Sequence, residues 1–188
     1  MTTHYVDLTV VPDAETGVAP LLGALFDRLH RALAHSQLDN IGVSFPQYSV
    51  IPRNLGNTLR LHSGEADLQM FMSGDWLRGV RDHVRMTNIA AAPTDAPHRS
   101  VGRQQFKSNV ERLRRRRMKR KGETAEQAAL AIPESAAETP RLPYVHLRSL
   151  STSQPFCMFI TLGPLQADPI LGCFNTYGFG QDSTIPWF

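Results

Sequence analysis

The chain has 188 residues with 41% hydrophobic, 20% charged and 8% aromatic side chains. That is the composition of an ordinary globular protein of one or two small domains, and no apolar run approaches the roughly 20 residues of a membrane span. Two cysteines sixteen positions apart, Cys157 and Cys173, exclude a disulfide scaffold and a cysteine-based zinc site, and they predict a reducing, cytoplasmic setting. The start of the chain, with Asp7 and Pro12 inside its first apolar stretch, predicts no export signal.

In chain order, Tyr5–Val11 is rich in β-branched residues and closes on Pro12-Asp13, the pattern of a strand. From Ala19 to Ser36, Leu22, Phe26, Leu29 and Leu33 recur at spacings of four, three and four, one apolar stripe of an amphipathic helix. Asn40–Phe45 and Asn57–His62 predict two strands around a stretch punctuated by Pro46, Pro52 and Gly56. Glu65 to about Leu77 predicts a helix interrupted by Gly74, and Val84–Ile89 alternates as a strand. The order βαββαβ is that of an α+β, ferredoxin-like domain over residues 1–92, with two helices on one face of an antiparallel sheet.

Residues 90–97 are small and proline-punctuated, so a second, α+β half is expected from residue 98 to 188. It opens with a strand near Arg99–Lys107, followed by Ser108-Asn109-Val110-Glu111, a capping box at the head of a helix that Gly122 ends. Thr124-Ala125-Glu126-Gln127 is a second capping box before a short helix closed by Pro133. Strands are expected near Tyr144–Ser149, Phe156–Thr161 and Phe174–Tyr177.

The formal net charge of +3 conceals a segregation. Residues 107–121 hold nine basic side chains, including all three lysines, and the single acid Glu111; the rest of the chain has 11 basic against 16 acidic residues, net −5. On a helix from Asn109 to Lys121, Arg112, Arg116 and Arg120 stack on one face, and only Val110, Leu113 and Met118 are apolar enough to bury. Such density points to phosphates, and arginine favours bidentate contacts. Nucleic acid is therefore the expected partner.

Signatures of catalysis are few. There is no P-loop, no GxGxxG and no GxSxG elbow, and His30 and His35 lie five apart, about 140° around a helix, so they cannot chelate one metal together. No metal site and no cofactor are expected. His30 sits about 100° from Leu29, at the margin of the apolar stripe. Residues 147–153 (LRSLSTS) are hydroxyl-rich at a strand end, which by itself is a polar turn.

Five blocks then resemble one family in the same order and at the same spacing: Phe26–Leu33 (FDRLHRAL), Ile41–Pro46 (IGVSFP), Lys107–Arg116 (KSNVERLRRR), Leu147–Thr152 (LRSLST), and Tyr177-Gly178 with the terminal Pro186-Trp187-Phe188. Over nearly its whole length the chain is similar to the CRISPR repeat-processing endoribonucleases of the type I-F (Csy) system. The resemblance implies a metal-independent, cytoplasmic ribonuclease that cuts the CRISPR precursor RNA at the 3′ base of each repeat stem-loop and stays bound to the product. It also implies other subunits of a type I-F surveillance complex as partners, and no membrane. His30 matches the histidine that acts on the 2′-hydroxyl beside the scissile phosphate, Ser149 the serine that positions the ribose, and Tyr177 a tyrosine that supports the histidine. Arg115, Arg116, Lys119 and Arg120 match residues facing the major groove of the hairpin. Arg103 and Gln105 match base-reading residues, and Phe156 matches an aromatic stacked under the stem. Lys107, Arg112, Ser151 and Thr152 complete the implied RNA-binding set.

Three departures stand out: Arg117 where the family is apolar, lysines at 119 and 121 in place of other groove-facing side chains, and no glycine-rich loop of the wider superfamily. Attack by a 2′-hydroxyl needs a base active near neutral pH, which a histidine supplies, and stabilisation of the phosphorane, and neither requires a metal. The product would be a 2′,3′-cyclic phosphate. A non-catalytic protein that binds RNA hairpins, or a DNA-binding regulator, would explain the charge but not His30 with Ser149.

Overall fold

A computed structural model describes residues 2–106, 110–133, 140–149 and 154–188. Contacts divide the chain into two compact units, Met1–Arg103 with Leu142–Phe188, and Gln104–Arg141. In chain order the elements are β1 (His4–Val10), α1 (Val18–Ser36), β2 (Gly42–Ser44), β3 (Ser49–Val50), β4 (Arg53–Asn54), β5 (Thr58–Ser63), α2 (Glu65–Met72), a 3₁₀ turn at Arg81–His83, β6 (Val84–Met86), β7 (Ala90–Ala91), β8 (His98–Arg99), β9 (Val101–Gln104), α3 (Val110–Lys121), α4 (Ala125–Ala131), β10 (Tyr144–Arg148), β11 (Pro155–Leu162) and β12 (Ile185–Pro186). Among the described residues no helix is long and apolar enough to cross a membrane.

The main sheet runs β2-β5-β1-β6, with β7 also on β1. Every pairing is antiparallel. That strand order is the split βαβ of a ferredoxin-like fold, as the element order predicts. Alternation sorts β1 cleanly: Val6, Leu8 and Val10 are buried with Leu59 and Leu61 of β5 in one core cluster, under Leu22, Leu25, Phe26, Leu29 and Leu33 of α1 and Leu68 and Phe71 of α2. α1 spans 19 residues, with Pro20 in its first turn where no N–H is needed, and it stops at Gln37 in the left-handed conformation.

The opposite face of this sheet is also covered, so β5 is buried on both sides. Arg60 there is only 8% exposed. Its guanidinium binds both Asp7 carboxylate oxygens at 2.6 and 2.8 Å, donates to the Phe188 main-chain oxygen at 2.9 Å, and lies over the rings of both Tyr5 and Phe188, at 4.5 and 4.1 Å. A buried cation that fills its donors in this way avoids the penalty of an unpaired charge. Beside it His62 is wholly buried, with Nε2 2.8 Å from the Ser44 hydroxyl and Nδ1 without a partner. Burial above all, then the charges of Arg60 and His98, lowers its pKa to about 3.

A second sheet runs β10-β11-β9. α1 crosses β10 at Gly23, where a Cβ would stand 2.5 Å from the His146 carbonyl oxygen. Only glycine allows that approach.

Several sequence expectations are corrected. The second helix ends at Met72, short of Leu77, because Ser73 and Gly74 turn the chain; Trp76 nevertheless reaches back to Phe71, ring centroids 5.2 Å apart. The strand expected over 84–89 stops at Met86 as β6, and the chain pairs with β1 again only beyond that range, at β7. The strand near Arg99–Lys107 divides at Ser100 between two partners, β12 for β8 and β11 for β9. Phe174–Tyr177 is no strand: Phe174 makes one bridge to Gly180, and Asn175 and Gly178 build a turn. β3, β4 and β12 have no counterpart among the expected elements, being two residues each.

In the unit Gln104–Arg141, α4 begins at the expected capping box: the Thr124 hydroxyl accepts from Gln127 N–H and the Gln127 side chain accepts from Thr124 N–H. The box expected at Ser108–Glu111 begins outside the described residues.

Candidate active site

His30 lies two-thirds of the way along α1, half-buried, next to the fully buried Leu29. Its Nδ1 is 2.8 Å from the Thr176 carbonyl oxygen. A carbonyl only accepts, so Nδ1 carries the proton and, in the neutral ring, Nε2 carries the lone pair. Tyr177 stacks on the imidazole with centroids 3.8 Å apart and planes 8° from parallel. One face of the ring and one nitrogen are thereby fixed, leaving Nε2 as the basic atom.

The segment that does this is itself pinned. Tyr177 lies in an aromatic group with Phe26 and Phe179, each 6.2 Å away, and Phe26 and Phe179 are 5.7 Å apart in the core. Gly178 has φ +72°, donates to the Asn175 carbonyl and accepts from Val43 of β2 at 2.9 Å; a Cβ there would stand within 3 Å of the Val43 side chain. Tyr177 holds its phenolic proton above the ordinary pKa of 10.0, because burial outweighs the opposing charge of Arg103, with a smaller raising contribution from the Asp27 charge. At neutral pH its hydroxyl is therefore a neutral donor and acceptor.

Arg103, exposed on β9, places its guanidinium carbon 5.9 Å from the Tyr177 centroid. His30, Tyr177 and Arg103 are thus brought together. Ser149 is half-buried immediately after β10, and its N–H donates to the Gln154 carbonyl across the hairpin. Phe156 is half-buried on β11, paired across the ladder with Leu147. Gln105 is exposed one residue past β9. Lys107, Ser151 and Thr152 lie outside the described residues.

α3 resolves the packing problem that its sequence poses. Val110 is buried, and Leu113, Arg114, Arg117 and Met118 are half-buried, a stripe at helical spacing. Two arginines fill places that apolar residues would take. Arg114 Nε donates to the Ile132 carbonyl at the end of α4 at 2.9 Å, and Arg117 pairs with Glu123 through two hydrogen bonds of 2.5 and 3.0 Å. That pairing, chiefly the hydrogen bond itself, raises the Arg117 pKa and lowers that of Glu123. Arg112, Arg115, Arg116, Lys119, Arg120 and Lys121 are exposed. Arg116 and Arg120 also border a cleft of about 340 Å³ floored by Leu113 and Ile132.

Sequence reasoning missed Thr176, because it acts through its main-chain carbonyl and side-chain identity gives no sign of that. It also missed Asn175, whose Oδ1 accepts from Tyr177 N–H at 2.8 Å and Phe179 N–H at 3.3 Å. The available signal was Asn-x-x-Gly, a turn pattern inside a stretch otherwise read as a strand.

The family described as CRISPR-associated protein (Cas_Csy4) matches residues 5–188. A protein of Pseudomonas aeruginosa strain UCBPP-PA14 named CRISPR-associated endonuclease Cas6/Csy4 is 43% identical over 185 residues, 98% of this chain and 99% of that one. One of the same name from Escherichia coli strain UTI89 is 38% identical over the same shares. On that end-to-end similarity, the chain belongs to the CRISPR-associated Cas_Csy4 family.

Proposed function

We propose that this member of a family of CRISPR-associated endonucleases cuts the CRISPR precursor RNA at the 3′ base of the repeat stem-loop and retains the product. The observation that carries the reading is the His30 site: a histidine with Nδ1–H given to a carbonyl and a face given to Tyr177, so that Nε2 is held ready to accept a proton. In this reading Nε2 takes the proton of the 2′-hydroxyl as that oxygen attacks the adjacent phosphorus. The P–O5′ bond breaks, leaving a 2′,3′-cyclic phosphate upstream and a 5′-hydroxyl downstream. Ser149 orients the ribose, and Tyr177 keeps the imidazole in plane.

The ferredoxin-like half supplies His30, and the half from residue 98 supplies the RNA contacts. The six exposed cations of α3 supply the charge expected of a phosphate-binding helix. An A-form major groove is too deep and narrow for a helix except where a short hairpin ends and opens it, which makes substrate shape part of specificity. Arg103 lies beside Tyr177, so a base held by Arg103 is held next to His30. That adjacency couples recognition to the choice of phosphate. Both cysteines are free and exposed, which supports a reducing cytoplasmic setting.

A labelled repeat hairpin incubated with the protein in EDTA tests the reading. A single cut ending in a cyclic phosphate is expected, together with tight binding but no cut when the attacking 2′-hydroxyl is replaced by hydrogen. A mobility shift with intact RNA would favour a non-catalytic hairpin binder and refute the enzyme reading. Cleavage that stops in EDTA would refute the metal-independent mechanism.

A further inference from the structure

We propose that Asn175 is a positioning residue for His30, the side chain whose Oδ1 locks the turn that presents the Thr176 carbonyl to Nδ1. The inference rests on the reading of His30 as the base.

Among the described residues, the side-chain bonds to the main chain of this turn come from His30 itself and from Asn175. The Asn175 Oδ1 accepts from two main-chain N–H groups, those of Tyr177 and Phe179. Its own N–H donates to the Phe179 carbonyl at 2.9 Å, and its carbonyl accepts from Gly178 N–H at 2.8 Å. These four bonds close residues 175–179 into a ring of fixed shape. Two anchors then tie that ring to the scaffold, Gly178 to Val43 on β2 and the Phe179 side chain, 2% exposed, in the core. Thr176 is exposed, and it lies between Asn175 and Tyr177 within this ring. Apart from its bond to His30, its carbonyl direction is set, among the described residues, by the turn.

Imidazole has two neutral tautomers, and which nitrogen keeps the proton is decided by the bond the other atom makes. With the Thr176 carbonyl 2.8 Å from Nδ1, the proton stays there and Nε2 is basic. Removing the Asn175 acceptor frees two N–H groups and lets the Thr176 carbonyl swing away. The ring then divides between tautomers, and the one protonated on Nε2 cannot take the proton of a 2′-hydroxyl. The same turn carries Tyr177, so the stacking partner and the tautomer are set by one side chain. Misplacement of this kind is worth up to about a hundredfold in rate. RNA affinity should stay unchanged, because no bond in the network involves the basic helix.

The test combines ring-nitrogen NMR of the ¹⁵N-labelled full chain with single-turnover cleavage. In the wild type the neutral His30 ring is expected to be protonated at Nδ1. Asn175→Ala should show mixed tautomers, a rate lowered by on the order of ten- to a hundredfold, and an unchanged dissociation constant for the hairpin. Asn175→Asp keeps the acceptor and should restore both tautomer and rate, which a merely structural loss would not require. A wild-type ring protonated at Nε2 overturns the proposal without any variant. So does a folded Asn175→Ala with wild-type tautomer and rate, or an Asn175→Asp as slow as the alanine. If Asn175→Ala does not fold, the wild-type spectrum and the aspartate variant still decide. Continued cleavage by His30→Ala would remove the base assignment instead, and the tautomer measurement would then judge the role of Asn175 by itself.

Discussion

Lowering the pH from 7 to 5 should destabilise the protein through His62 alone by about 2 kcal/mol. The folded pKa of this histidine is about 3 against an ordinary 6.5. Between those values the unfolded chain binds a proton that the folded chain does not, so stability falls as pH falls. The contribution is complete above about pH 6.5 and is lost progressively toward pH 3, to a total on the order of 5 kcal/mol at 1.36 kcal/mol per unit. The physical cause is plain in the structure. The ring is 0% exposed, the Arg60 guanidinium is a neighbour, and Nδ1 has no acceptor to take a second proton's bond. Urea unfolding at a series of pH values measures it, with His62→Gln as the reference because glutamine can still meet the Ser44 hydroxyl without titrating. With a slope of about 2 kcal/mol per molar urea, the wild-type midpoint should drop by about 1 M more than that of the variant between pH 7 and pH 5. Equal drops in the two proteins would show that His62 is not kept neutral by the fold, and the reasoning from its burial would be wrong.

His30→Ala should abolish cleavage with little change in hairpin affinity, because a base acts in the transition state; parallel loss of binding would contradict it. Ser149→Ala should slow single-turnover cleavage, and an unchanged rate would assign the ribose to another hydroxyl. With about five phosphates neutralised, log K should fall with log[salt] at a slope on the order of −3.5 to −4.5, and replacing Arg116 and Arg120 together should flatten it by up to about two. Wild-type affinity and slope in that double variant would place the RNA elsewhere. Arg117→Ala, by contrast, should lower the thermal stability of the protein with little effect on that slope, since its partner is Glu123; a slope change as large as that for Arg116 would mean that this ion pair opens on RNA.

The elements that the sequence made legible are those whose pattern is local. The stripe Leu22, Phe26, Leu29, Leu33 predicts α1 to within a residue at its start, and Thr124 with Gln127 marks the head of α4. Of the two-residue elements, β8 and β12 are set by partners far away in the chain, as Ile185 is by Arg99, so no window of sequence contains their cause, whereas β3 and β4 pair with each other and are too short to carry a pattern. For Phe174–Tyr177 the apolar and aromatic residues suggested a strand, and turn chemistry at Asn175 and Gly178 prevailed. The candidate site divides in the same way. His30 stands out once the family is recognised, whereas the Thr176 carbonyl that fixes its tautomer belongs to the main chain. In α3 a charge count treats all nine cations of the segment alike, yet Arg114 and Arg117 are spent inside their own unit, a fact that depends on where Ile132 and Glu123 come to lie.

The close approach of α1 to β10 at Gly23 brings together the helix that carries His30 and the strand that leads to Ser149. From Gly23 to His30 is seven residues of helix, about 10 Å. From His146, which Gly23 touches, to Ser149 is three residues of extended chain, also about 10 Å. The two residues proposed to act on one ribose thus ride on arms of similar length that meet at a hydrogen atom. A methyl group placed at residue 23 would collide with the His146 carbonyl and force helix and strand apart while leaving the His30 and Ser149 side chains themselves intact.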